Sequence, residues 1–406
     1  MQATTSTTEP TPFQLDALFS WLSCQRQAGS IHHDEPQHIW QVFGYTDVER
    51  VLSDPRAFSS DFSEIMPAQQ DFDLFARGNF VRMDPPRHRK LRGLVSQAFT
   101  PRMVHGLAPR IAELTASLLD ELGGAERFDL VDALAYPLPV IVIAELLGIP
   151  VADRAIFRQW AETLFSQNEQ TSEIRLDEAA LKALFDAVAP TMREMNSYLL
   201  AHIHERRARP VDDLTSELVR AEVDGDRLDD QEIVGFVGLL LIAGHITTTA
   251  LLGNAIITLD EHPGAAAELR ADPTRLPAAI EEVLRYRPPF PRLARRAVTD
   301  VKLDGHLIGA NQVIILWLAS ANRDEAQFPD PDRFDIRRQP NSHLAFGHGI
   351  HFCLGAPLAR LESKIALEIL LERYRRIAVS RDEPVELHNP WTMISAKRLP
   401  VIVQAA

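Results

Sequence analysis

The chain has 406 residues, 46% of them hydrophobic and 24% charged, which excludes a disordered or fibrous protein. Acidic residues outnumber basic ones by 56 to 42, a formal net charge of −14, so a nucleic-acid partner and other polyanions are excluded as its main business. Two cysteines, Cys24 and Cys353, cannot make a disulfide scaffold and fit a reducing, cytoplasmic compartment.

Residues 1–12, rich in Thr and Pro, are expected as a flexible tail without the basic and apolar regions of an export signal. No repeat, low-complexity block or Gly/Ser linker interrupts the rest, so residues 13–406 are expected as one domain. His32, His33 and His38 resemble a metal cluster, but scattered surface imidazoles are the better reading. His38–Phe43 reads as a strand. Ser59–Arg82 scatters Phe62, Ile65, Met66, Phe72, Leu74, Phe75 and Phe80 without clear periodicity, as a lid or pocket wall would. Helical spacing covers Pro101–Leu122, which stops at Gly123-Gly124, then Val131–Leu147, Ala179–Arg207, Arg275–Tyr286 and Pro357–Tyr374. Val301–Leu318 reads as a hairpin turning at Asp304-Gly305 and then a longer strand; a last β region begins at Ile377. The fold class is therefore mainly α with a small β lobe drawn from distant segments. The βαβ alternation of a dinucleotide fold is missing.

Ile233–Leu259 contains no Asp, Glu, Lys or Arg and is long enough to cross a bilayer. Three consecutive threonines, His245, Asn254, four glycines and two acidic flanks argue instead for a helix through the middle of a soluble protein, with no membrane partner.

The most informative stretch is Leu344–Glu362, LAFGHGIHFCLGAPLARLE. Gly347, Gly349 and Gly355 surround Cys353, and a helix with Pro357 in its first turn follows. Glycines let a backbone turn tightly and approach a flat ligand. The N–H groups of the helix start are expected to favour thiolate over thiol at Cys353. A lone thiolate suits one large metal complex better than a four-ligand zinc site. Two rivals are a buried, inert cysteine and a nucleophile served by His351, whose spacing suits a base poorly. The glycine spacing favours haem over both.

With Phe346, Gly347, Gly349, His351, Cys353 and Gly355 in the pattern F-G-x-G-x-[RH]-x-C-x-G, the chain resembles the cytochrome P-450 superfamily, in particular its soluble bacterial members. Further motifs follow in the family's order. Glu282 and Arg285 match its E-x-x-R pair, with Arg333 as the expected third partner in a buried ion cluster. Ala243, Gly244, His245, Ile246 and Thr247 match its A-G-x-[DE]-T motif, except that Ile246 replaces the acid.

The resemblance implies a single haem b between distal and proximal helices, with Cys353 as the iron ligand and His88, Arg92, Arg295 and His351 near its propionates. It implies that small Ala243 and Gly244 let the macrocycle and dioxygen lie close, while Thr247 hydrogen-bonds dioxygen and relays a proton. Without an acid at Ile246, protons are expected through ordered water and Thr247. The implied activity is a monooxygenase inserting one oxygen atom from O2 into a lipophilic small molecule, by hydroxylation or epoxidation, in natural-product tailoring. Phe62, Phe72, Phe75, Phe80, Leu240, Phe290, Leu293, Met393 and Ile394 are the expected pocket residues. Whether the substrate arrives free or tethered to a carrier protein stays open. With no flavin, nicotinamide or iron–sulfur fingerprint, a ferredoxin and its reductase are expected as electron donors. Arg89, Lys90, Arg102, Arg360 and Lys364 are the candidate docking residues. Two alternatives remain: a haem-thiolate enzyme of another class (peroxygenase, coupling or rearrangement catalyst), and a non-catalytic haem-binding recruitment module, against which Thr247 argues.

Overall fold

The computed structural model describes residues 15–65, 72–153, 155–157, 159–160, 163–164, 178–223 and 225–406. The expected tail over residues 1–12, and Met66 of the expected lid, lie outside the described residues. The helices that build the site are α1 (Tyr45–Ser53), α2 (Asp73–Gly78), α3 (Arg87–Ala98), α4 (Pro137–Leu146), α5 (Asp230–Glu261), α6 (Leu276–Tyr286) and α7 (Ala356–Arg373).

The uncharged stretch forms the middle of α5, which runs 32 residues through the main hydrophobic core. Asp229 caps its start: its carboxylate accepts from the Glu232 N–H at 2.7 Å, and the Glu232 carboxylate accepts from the Asp229 N–H at 3.1 Å. Among the described residues it is the one helix long and apolar enough to span a membrane, and most of that window is buried against protein. Near its N-terminal end α2 crosses it backbone to backbone. A Cβ on Gly78 would sit 2.0 Å from the Glu232 carbonyl, and one on Gly235 would sit 2.5 Å from the Gly78 nitrogen. Only glycine on both helices permits that approach.

The β lobe joins β1 (Ile31–Asp34), β2 (Ile39–Val42), β3 (Phe58–Ser59), β4 (Leu293–Ala297) and β5 (Val313–Leu316) in the order β1-β2-β5-β4-β3. Only β2 and β5 run parallel. The hairpin Val301–Leu303 with His306–Ile308 turns at Asp304-Gly305, both at positive φ. A second sheet joins Tyr374–Val379, Pro400–Ala405 and Arg127–Asp129.

Three local readings differ from the sequence expectation. The helix over Pro101–Leu122 is two, Pro101–Gly106 and Ala108–Asp120, because Gly106 and Pro109 weaken its middle. Val131–Leu147 opens with a π-turn at Val131–Ala135 and restarts at Pro137 as α4. Strand β4 reads LARRA, and its two arginines hid it from apolar patterning.

Candidate active site

The cysteine loop is held from three sides. Gly347 and Gly349 adopt φ of +72° and +68°, in the left-handed region that favours glycine. A Cβ on Gly349 would meet the Leu52 carbonyl of α1 at 2.7 Å, so the loop is seated on the β lobe. From α3, Arg92 donates to the carbonyls of Ile350 at 2.7 Å and Phe352 at 2.6 Å. The Cys353 N–H donates to the Phe346 carbonyl at 2.9 Å. Gly355 has an ordinary φ of −79°, and a Cβ there would stand 3.9 Å from the Cys353 sulfur.

Cys353 lies deep in the fold yet has an open face. Burial pushes its thiol up, while the N–H groups of Gly355 and Ala356 and the charges of Arg92 and Arg360 pull it down. The helix-start N–H groups thus favour thiolate, as expected, while burial opposes them and sets the net direction upward.

On α5, Ala243 is exposed and Leu239 and Thr247 are half-buried, although the residues around them on this helix are mostly buried. Spaced four apart, the three form one stripe facing open interior space. Leu240, one position off the stripe, is buried in the core. The Thr247 hydroxyl donates to the Ala243 carbonyl at 2.9 Å; Thr248 and Thr249 likewise bond back to Gly244 and His245. A Cβ on Gly244 would sit 2.8 Å from Ile143 Cδ1, so the packing of α4 on α5 also favours a small residue at this position. Ile246 is buried. His245 is buried too, its Nδ1 2.6 Å from the Leu241 carbonyl and its ring edge-on to Tyr136. Beside His245, Val140, Ile143, Phe157 and Leu241 enclose a cavity of about 10 Å³, room for one water.

His88, Arg92, Arg295 and His351 form a group of donors that among the described residues makes no ion pair, with the Asp84 carboxylate acting on His88 and Arg295 from a distance. The rings of His88 and His351 meet edge-on at 4.4 Å, and His88 Nε2 and both His351 ring nitrogens are buried without a hydrogen-bond partner. Arg295 on β4 donates only to the neighbouring Ala294 carbonyl, at 2.8 Å. Burial, then the charges of Arg295, His88 and Arg92, push His351 down to about 3. Burial lowers His88, helped by Arg92, and takes Arg295 down to about 10. Buried donors of this kind are stabilised by an acceptor placed among them. The two propionates of a haem fit them, as an iron fits the open face of Cys353.

Glu282 and Arg285 are completely buried and bonded twice, both contacts at 2.8 Å. Their third partner is not the one expected. The exposed Arg333 side chain stays outside; only its carbonyl accepts, from Arg285 at 3.1 Å. Arg338 supplies the second guanidinium, 3.2 Å from Glu282, with Asn341 at 3.1 Å and the Asp335 N–H at 2.9 Å. The FPDPDRFD motif pointed to the right loop, but its turn carries the chain past Arg333.

Phe290 and Leu293 line a cavity of about 390 Å³ together with Arg292 between them; Ala294 and Ile315 also line it, and these two the sequence reading missed. Phe75 packs against Gly238 of α5, Phe72 meets Phe185 at 5.0 Å, and Phe62 is half-buried. Phe80, Met393 and Ile394 are buried: Phe80 braces His88 and Phe236, and Ile394 packs in the core beneath the sheet. Apolarity alone did not separate pocket wall from core.

On the docking side, Arg360 is committed to Glu281 through two contacts at 2.7 Å, Lys364 to Glu368 and Lys90 to Asp226, both at 3.0 Å. Arg89 and Arg102 are exposed, without an ion pair among the described residues. Near the N-terminus, His32 bonds the carbonyls of Gln25 and Gly29, His33 stacks on Trp40, and His38 takes a positive-φ turn.

The family model Cytochrome P-450 matches residues 31–405. The chain is 46% identical to the erythromycin C-12 hydroxylase of Saccharopolyspora erythraea, over 95% of this chain and 94% of that protein. It is 45% identical to the cyclomarin C epoxidase of Salinispora arenicola, over 92% of each. The solved structure of the open cytochrome P-450 EryK from S. erythraea superposes with a TM-score of 0.88 at 44% identity, covering 98% of each chain. The chain belongs to the cytochrome P-450 family. It is a P-450 monooxygenase with the family's fold, and the family implies a haem cofactor.

Proposed function

We propose that this P-450 hydroxylates or epoxidises a lipophilic small molecule of secondary metabolism in the cytoplasm, using O2 and electrons from a ferredoxin and its reductase. Its relatives named as a hydroxylase and an epoxidase support the reaction class. Haem b, when bound, supplies the activation of dioxygen. Cys353 would ligate its iron, and Arg92, Arg295, His88 and His351 would hold its propionates. Leu239 and Ala243 form the distal wall. Thr247 holds a proton at its hydroxyl oxygen, and turning away from the Ala243 carbonyl aims that proton into the open space. With Ile246 buried, water beside Thr247 replenishes it. Phe290 and Leu293 exclude water from the substrate's apolar part. Of the five candidates, Arg89 and Arg102, unpaired among the described residues, are left for docking an acidic ferredoxin.

The observation that carries this reading is the open-faced Cys353 sulfur together with the buried ring nitrogens of His88 and His351, unbonded among the described residues, beside Arg92 and Arg295. The test is the carbon monoxide spectrum of the reduced protein. A thiolate-type band in the wild type, lost in Cys353→Ser, is expected; an imidazole-type spectrum removes the proposal. Buried Ile246 and the back-bonded Thr247 favour a second, peroxide-driven reading. Product formation with hydrogen peroxide alone, at a rate matching the ferredoxin system and unchanged in Thr247→Ala, would establish it instead.

A further inference from the structure

Arg292 is a cation among the described residues that the propionate donors do not include. Arg292 lines the cavity of about 390 Å³ with Phe290, Leu293, Ala294 and Ile315. It makes no hydrogen bond or ion pair among the described residues, and its one charge contact is the face of Trp317, 5.4 Å from the guanidinium carbon. Trp317 belongs to an aromatic group with Trp21 and Trp391, their rings 4.9–5.9 Å apart.

Burial lowers Arg292 to about 10, which leaves it a cation at neutral pH. A guanidinium stacked by one face on an indole still presents its N–H groups in the plane, the geometry that receives a carboxylate through two parallel bonds. One positive charge matches one negative charge; a phosphate monoester would ask for two. Because Arg292 follows Phe290 and precedes Leu293, the same wall offers apolar contact on both sides of the charge.

We propose that the substrate of this enzyme is an amphiphilic monocarboxylate whose carboxylate pairs with Arg292 while its apolar body lies along Phe290 and Leu293. This rests on the monooxygenase reading and narrows its substrate class. The pairing fixes one end of the molecule and so selects which carbon is presented for oxidation.

The test uses holoenzyme and matched probes: straight-chain carboxylic acids of ten to sixteen carbons and their methyl esters, titrated by the absorbance shift that accompanies displacement of the iron-bound water. Wild type is expected to bind at least one acid about 10- to 100-fold more tightly than its ester, the range of a charged hydrogen-bond pair. Arg292→Leu should lose that preference while retaining the ester's affinity, which also shows that the pocket is folded; Arg292→Lys should keep part of it. Two results overturn the inference: no acid preferred over its ester in wild type, or an undiminished preference in Arg292→Leu. The carbon monoxide spectrum of the same preparation separates the two levels. A thiolate band without acid preference removes only the carboxylate assignment, whereas no thiolate band removes the monooxygenase reading itself.

Discussion

Single residues decide whether the cysteine loop keeps its shape. Gly349→Ala puts a side chain at a positive φ, costing roughly 1–2 kcal/mol, and drives a Cβ towards the Leu52 carbonyl. Gly355 suffers neither penalty. Haem-to-protein ratio after purification should therefore fall sharply in Gly349→Ala and stay near wild type in Gly355→Ala. A different residue sets a pH dependence. Glu362 in α7 is completely buried with neither carboxylate oxygen bonded, and burial raises it from 4.5 to about 8. Between those values the folded state holds a proton that the unfolded state has released, so this group makes stability fall as pH rises. Glu362→Gln, neutral throughout, should remove that slope. Melting curves at pH 5 to 8 should show the variant gaining on wild type by several degrees, and parallel profiles would contradict it. The cysteine loop was legible in the sequence because its glycines and cysteine stand in one unbroken run. Arg338 and Arg292 were not: each owes its role to where a turn or a strand end points it, which spacing does not encode.

At the scale of elements, the long helix was legible because no charge interrupts it, and its acidic capping box marks its start. What the sequence hid is the crossing of Gly78 over Gly235, since two isolated glycines 157 positions apart announce no contact. That crossing holds α2, and with it Phe75, against the helix that carries the Ala243–Thr247 stripe. Gly235→Val should lift α2 away at a cost of about 1–3 kcal/mol. Hydrogen exchange should accelerate over residues 73–82 and remain unchanged over residues 344–355; uniform acceleration would mean a general loss of stability instead. The broken helices at Gly106 and Pro137 are smaller misses of the same origin, where apolar periodicity continues across a backbone that cannot.

At the scale of the whole molecule, Glu282 gathers Arg285, Arg338, Asn341 and the Asp335 backbone, tying α6 to the loop that precedes the cysteine. Removing the one acceptor leaves buried cations unpaired, which costs about 3–5 kcal/mol. Denaturation midpoints should fall most in Glu282→Ala, less in Arg338→Ala and hardly at all in Arg333→Ala, whose side chain lies outside the cluster. A large effect at Arg333 would overturn the assignment of the second guanidinium. The seat of the cysteine loop has a temporal side as well. Its receiving surfaces, Leu52 and Arg92, leave the ribosome long before residue 353, 261 positions after Arg92, a delay of roughly 13–50 s at ordinary synthesis rates. Until then the nascent protein offers two walls and nothing between them to grip a metal. Cofactor capture must therefore be among the last events of its biogenesis, and a chain stalled short of residue 353 should come off the ribosome colourless.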